Sequence, residues 1–161
     1  MTKTSFIRPR SAAKSALSFA IVASQYNNAY VQPLVDSATS EISELEPGAH
    51  VYIVRVPGSF EIPLAIKLVA RQGKFDAILA LGVILQGETA HAELIARSVT
   101  TALMHLALEL KVPVIHEVLL LKNEEQAKAR CLGAELNRGI EAARAGVAIA
   151  RTVRGLSSRA R

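Results

Sequence analysis

Short apolar runs alternate along this chain with longer segments whose apolar residues recur every three or four positions. Such runs are typical of buried parallel strands, and the periodic segments are typical of amphipathic helices. The pattern predicts strands over 18–24, 50–56, 76–85 and 112–121, and helices over 29–45, 61–71, 88–110, 123–136 and 140–153. We interpret the triplet at 137–139 as a break between the last two helices.

The alternating order of these elements predicts an α/β protein. We expect a three-layer αβα sandwich around a four-stranded parallel sheet, with a flavodoxin-like arrangement. A single domain is predicted over 16–156, preceded by a basic, flexible segment at 1–15 and followed by a basic tail at 157–161. Because ligands bind beyond the carboxyl ends of parallel strands, the segments of interest are 25–27, 58–61, 85–91 and 116–123.

Composition excludes several classes of protein. No apolar run approaches the roughly 20 residues that a membrane-spanning helix needs, so no membrane partner is expected. Cys131 is the only cysteine, which excludes an intrachain disulfide and fits a reducing cytoplasm. The four histidines are scattered, without a close pair or a carboxylate at ligand spacing, so no metal site is predicted.

The formal net charge of +5 belongs to the two ends of the chain. All 14 acidic residues lie between Asp36 and Glu141, whereas both ends carry only basic charges. Solvated ends explain this distribution, and nucleic acid is not expected as a partner. A shell whose basic tails hold acidic cargo remains an alternative.

Residues that carry chemistry follow the predicted strands. Tyr26 follows the first strand, where an aromatic ring can stack on a flat ligand, and Ser59 can cap the helix after the second. The helix after the third strand opens with free amides that suit a phosphate, with the Thr89 hydroxyl as a further donor. His91 is placed to transfer protons, and Arg130 can clamp a phosphate with two hydrogen bonds. Each residue alone also has a purely structural explanation.

Six blocks in a consistent order resemble the 6,7-dimethyl-8-ribityllumazine synthase family. They are YN at 26–27, VPGSFEIP at 56–63, KFDAILALG at 74–82, QGETAH at 86–91, EQAKAR at 125–130 and NRGIEAA at 137–143. The resemblance implies an enzyme of riboflavin biosynthesis that needs no cofactor. It would condense 5-amino-6-(D-ribitylamino)uracil with 3,4-dihydroxy-2-butanone 4-phosphate and release phosphate and water.

The resemblance also implies a role for each matched residue. His91 would be the catalytic, proton-transferring residue. Residues that would bind the pyrimidine and the ribityl chain are Tyr26, Ser59, Phe60, Glu61, Val83, Ile84, Leu85 and, through its backbone, His116. Residues that would bind the butanone phosphate are Glu88, Thr89 and Arg130. The family builds this pocket between neighbouring subunits of a homopentamer, with His116 and Arg130 from the neighbour, and some members assemble pentamers into icosahedral capsids.

Several positions depart from the family pattern. Ala92 stands where a large aromatic residue is usual, Gln86 where a basic residue is common, and His116 where the residue is more often apolar or aromatic. A basic residue usual in the segment after Arg130 is missing. These departures predict weaker substrate binding rather than loss of activity. The alternative is a non-catalytic module of the same fold that binds a flavin or lumazine, and retention of His91 favours the enzyme.

Overall fold

Four parallel strands form the sheet of the computed structural model, which describes residues 15–159. They are β1 (Ser18–Ser24), β2 (His50–Val56), β3 (Ala77–Leu85) and β4 (Val114–Leu121), in the order β2-β1-β3-β4 across the sheet. All three strand pairs are parallel, which confirms the predicted fold class. The predicted basic segment lies outside the described residues, apart from Ser15.

Five helices cover the two faces of the sheet. They are α1 (Asn28–Leu45), α2 (Ile62–Val69), α3 (His91–Leu110), α4 (Glu124–Cys131) and α5 (Arg138–Arg159), and a 3-10 turn at Ser59–Glu61 precedes α2. Alternate strand residues face opposite sides, so Ile21 and Leu79 pack with α1 and α5 while Val22 and Ile78 pack with α2 and α3. The two buried clusters therefore form the layers of an αβα sandwich.

The last two helices differ from the prediction. α4 ends at Cys131, about five residues early, and α5 begins inside the triplet that was expected to separate the helices. The cause is Asn137, whose Oδ1 accepts hydrogen bonds from the backbone N–H groups of Gly139 (2.9 Å) and Ile140 (3.2 Å). Asn137 therefore caps the start of α5, which begins at Arg138. α5 also runs to Arg159, so part of the predicted basic tail is helical.

An arginine ties α5 to the amino ends of the strands. Arg154 donates from Nε to Asp76 Oδ1 (2.6 Å) and from Nη2 to Asp76 Oδ2 (2.7 Å). It also donates to the carbonyl oxygens of Ser15 and, at 2.9 Å, Ala16. The same carboxylate accepts from Ser18 N at 2.7 Å, so one ion pair holds the entry to β1 against the C-terminal helix.

Within residues 15–159, no helix is long and apolar enough to cross a membrane.

Candidate functional site

The loop after β1 is hydrogen-bonded to the loop after β2 and to the end of β3 at the carboxyl edge of the sheet. Tyr26 N donates to Pro57 O at 2.9 Å, which joins the first two loops. The Asn27 side chain donates from Nδ2 to Val83 O at 2.8 Å, which joins the first loop to β3. Asn27 directly precedes α1 and has a left-handed backbone (φ 58°), and its side chain makes no cap hydrogen bond to the helix. Its side chain instead fixes the loop that carries Tyr26.

The loop after β2 forms the 3-10 turn and presents one aromatic ring. Phe60 is 61% exposed, whereas Ser59 is only 8% exposed and packs against Gly82. A Cβ atom at Gly82 would lie 2.6 Å from Ser59 Oγ, so the close approach depends on glycine. Glu61 Oε2 accepts from Gly58 N at 2.9 Å, so this carboxylate stabilises the turn.

α3 begins later than the sequence predicts. Glu88 and Thr89 lie in the loop before the helix, because the first helical hydrogen bond runs from Leu94 N to Ala90 O (3.0 Å). Thr89 Oγ1 is 3.5 Å from His91 N, too far for a strong cap. Within the described part of the chain no side chain caps α3, so its first amides remain available as donors.

His91 is the first residue of α3 and is exposed at this edge. Tyr26, 74% exposed, projects from the loop after β1. Val83 is 1% exposed and packs in the core, so only the half-buried Ile84 and Leu85 offer β3 side chains to a ligand. The predicted site residues that share this edge are Tyr26, Ser59, Phe60, Glu61, Ile84, Leu85, Glu88, Thr89 and His91.

Two predicted site residues lie elsewhere. His116 is the third residue of β4 and pairs with Ala80, five residues before the strand ends at Leu121. It is therefore about 16 Å from the carboxyl end of the strand. Arg130 lies in the last turn of α4, and its charge acts on Glu117 in the middle of β4. The selection of 116–123 as a segment beyond a strand end is wrong for His116, which lies inside β4 and inside the predicted strand 112–121. The substrate-binding roles of His116 and Arg130 stay predictions.

Sequence reasoning did not single out Glu117, which faces α4 and α5. Burial raises the pKa of its carboxyl to about 7; nearby Arg138 lowers that pKa, Glu141 raises it and Arg130 lowers it. Arg138 and Glu141 pair with each other in the first turn of α5. The available signal was a charged residue in the core-facing register of an apolar strand.

Metal ligation has no basis in the described residues, where no group of three or more His, Cys, Asp or Glu side chains is placed to hold an ion. The chemistry available at the carboxyl edge is stacking, hydrogen bonding from backbone amides and proton transfer by His91.

Comparison with known proteins identifies the family. A family model for 6,7-dimethyl-8-ribityllumazine synthase matches residues 16–154. The 6,7-dimethyl-8-ribityllumazine synthase of Streptomyces coelicolor is 40% identical over 146 residues, which cover 88% of this chain and 88% of that protein. That of Burkholderia multivorans is 38% identical over 135 residues, covering 83% of this chain and 76% of that protein. The chain belongs to the 6,7-dimethyl-8-ribityllumazine synthase family.

The structure shows the surroundings of two residues that depart from the lumazine synthase pattern, Gln86 and Ala92. Gln86 anchors its loop through a backbone hydrogen bond, from Gln86 N to Leu121 O at 2.8 Å. Any residue except proline can make that bond, so the loop keeps its place although the usual basic side chain is absent. Ala92 is nearly buried in the first turn of α3, where its methyl group needs little space.

Proposed function

We propose that this chain is a transferase that condenses 5-amino-6-(D-ribitylamino)uracil with 3,4-dihydroxy-2-butanone 4-phosphate to 6,7-dimethyl-8-ribityllumazine. Phosphate and water are released. The proposal is carried by the convergence of Tyr26, Ser59 and His91 at one sheet edge in a member of this family. They lie on the loop after β1, the turn after β2 and the first position of α3. The reaction brings two reactants together and moves protons, and neither requirement calls for a metal or redox cofactor.

The pyrimidine is proposed to bind between the loops after β1 and β2. Tyr26 and Phe60 expose most of their rings there, and an aromatic ring is a favourable surface for a flat heterocycle. The turn that carries Ser59 is braced by Glu61 and Gly82, so its backbone groups are held in place before a ligand arrives. Prior fixation reduces the entropy lost on binding.

The proton-transfer role is assigned to His91. Attack of the amine on the ketone gives a carbinolamine, and loss of water to the imine requires protonation of its hydroxyl. Elimination of phosphate and closure of the ring move further protons, and an imidazole can both accept and donate a proton. His91 is exposed beside the free amides of α3, which are suited to the departing phosphate.

We further propose that the active unit is a homo-oligomer built from pentamers, with each site shared by two subunits. A single chain leaves His116 about 16 Å along β4 from the carboxyl edge. α3 also exposes Leu94, Met104 and Leu108, an apolar surface typical of an interface. Assembly of pentamers into a closed capsid belongs to the same proposal. The lone cysteine fits a cytoplasmic enzyme.

A steady-state assay with both substrates tests the activity, followed through lumazine formation above the uncatalysed background. His91→Ala is expected to lower kcat by about 100-fold or more. His105→Ala, an exposed histidine on the same helix, is the matched control and keeps wild-type kcat. Turnover by His91→Ala at the wild-type rate would remove the assigned role. No wild-type turnover, with tight riboflavin or lumazine binding, would favour the non-catalytic module.

Mixing two impaired variants, at a butanone phosphate concentration far below the KM of Arg130→Ala, tests the shared site. Arg130→Ala is expected to raise the KM for the butanone phosphate about 10- to 100-fold, because a charge-assisted hydrogen bond is lost. Lys128→Ala, an exposed cation on the same helix, controls for net charge. Unfolded and refolded together, His91→Ala and Arg130→Ala subunits should regain activity, since some mixed interfaces then carry both native residues. If the wild-type protein sediments as a monomer and is fully active in that form, the shared site is refuted.

A further inference from the structure

The outer edge of β4 exposes backbone groups. β4 is an edge strand, and its odd-numbered residues face β3: Pro113 O accepts from Ile78 N and Leu121 O accepts from Gln86 N, each at 2.8 Å. Because successive residues of a strand point their N–H and C=O groups to opposite sides, those of His116 and other even-numbered residues point away from the sheet. Such an edge is open to a partner.

The His116 side chain bonds to this edge and to α3. Its Nδ1 accepts from Val118 N at 3.1 Å, and its Nε2 lies 2.7 Å from Thr100 Oγ1. The Thr100 hydroxyl donates its only proton to Ala96 O at 2.8 Å, so it must accept from Nε2–H. Both ring nitrogens are satisfied only when the imidazole is neutral. Burial lowers the pKa of His116, which favours that same neutral form.

The consequence is a braced outer edge in which one of the outward amides is already bonded. The imidazole occupies the Val118 amide, and the N–H of His116 itself stays directed outward. An apolar or aromatic residue, which the family more often has here, offers neither hydrogen bond.

We infer that the His116 side chain is a positioning residue, which braces β4 against Thr100 so that the His116 backbone amide meets the pyrimidine bound in the neighbouring subunit. This inference rests on the proposed function and its shared site. Thr100, on α3, then affects pyrimidine binding through its hydrogen bond with His116. It does not contact the substrate itself.

The test is the pair Thr100→Val and Thr100→Ser, measured with each substrate varied in turn. Valine has nearly the shape of threonine but cannot accept from Nε2–H, so the KM for the ribitylaminouracil should rise about 3- to 10-fold. The kcat and the KM for the butanone phosphate should stay at wild-type values. Serine keeps the hydroxyl and should restore the wild-type KM. Thr101→Val, the neighbouring exposed threonine, controls for the added β-branched methyl group.

Each outcome decides the inference. An unchanged KM in Thr100→Val, or an equal rise for both substrates, would overturn it. Loss of assembly in Thr100→Val would assign the hydrogen bond to subunit structure and would overturn it as well. If the wild-type protein has no turnover, the proposed function itself has failed. If the wild type is active but Thr100→Val does not selectively raise the KM for the ribitylaminouracil, the positioning role alone has failed.

Discussion

Replacing Glu117 by glutamine is expected to stabilise the protein above pH 7 and to change little near pH 5. Burial raises the pKa of this carboxyl from 4.5 to about 7. The folded state therefore binds more protons than the unfolded state between these pH values, and stability falls as pH rises through that window. Above pH 7 the folded protein carries the full cost of a half-buried carboxylate, which glutamine does not have.

The magnitude follows from the difference between the folded and unfolded pKa. A rise from 4.5 to about 7 corresponds to roughly 3 kcal/mol at about 1.36 kcal/mol per pKa unit. Glu117 is only half-buried, so solvent screening reduces this free energy. We therefore expect Glu117→Gln to gain about 1–2 kcal/mol at pH 8 relative to pH 5.

Urea unfolding of wild type and Glu117→Gln at pH 5, 6, 7 and 8 measures this gain, at one protein concentration because assembly contributes to stability. Glu44→Gln, which removes an exposed carboxylate from α1, is the matched control. A gain that does not depend on pH, or that equals the control at pH 8, would refute the assignment of a buried carboxylate to Glu117.

Three further substitutions, all in α5, are expected to change the stability of the protein. Arg154→Met should cost about 2–3 kcal/mol in urea unfolding, because the Asp76 carboxylate loses both of its hydrogen bonds to Arg154; a loss below about 0.5 kcal/mol would contradict this. Gly139→Ala should lower the Tm strongly, since its Cβ would lie 2.3 Å from Leu34 O. Gly155→Ala meets nothing within 4 Å and should stabilise α5 by about 0.5–1 kcal/mol. Equal Tm values for the two alanine variants would contradict both.

The strands could be predicted closely because a strand buried on both faces is a continuous apolar run. β1 is such a strand, and its bounds agree with the prediction at both ends. The bounds of β2 agree as well, although β2 is a partly exposed edge strand. The start of α5 could not be predicted in the same way. Asn137 and Gly139 predict a break between two helices. In the structure the asparagine caps α5, and the glycine allows the backbone of Leu34 to approach closely. The cap is a local hydrogen bond, whereas the approach of Leu34 to Gly139 is a tertiary contact that local sequence does not contain.

The site was predictable in part for a related reason. The rule that ligands bind beyond parallel strands selects residues by their distance from a strand end, and it correctly places Tyr26, Ser59 and His91 at one edge. The rule does not cover His116, which lies inside the predicted strand 112–121 and inside β4, five residues before the strand ends. It also misses Glu117, which lies in the middle of a strand. The charges that act on Glu117 come from α4 and α5, and their proximity is set by the tertiary fold.

The geometry of β4 gives a physical reason for a site shared between subunits. β3 and β4 are paired over eight residues in fixed parallel register, so His116 cannot approach the carboxyl edge of its own sheet without breaking that register. A slip by two residues would lose hydrogen bonds at both ends and still leave most of the roughly 16 Å. If the His116 amide contacts the substrate, it must contact the substrate of another copy. Catalysis is then tied to assembly by the rigidity of the sheet, and dilution that dissociates the oligomer should abolish turnover while each chain remains folded.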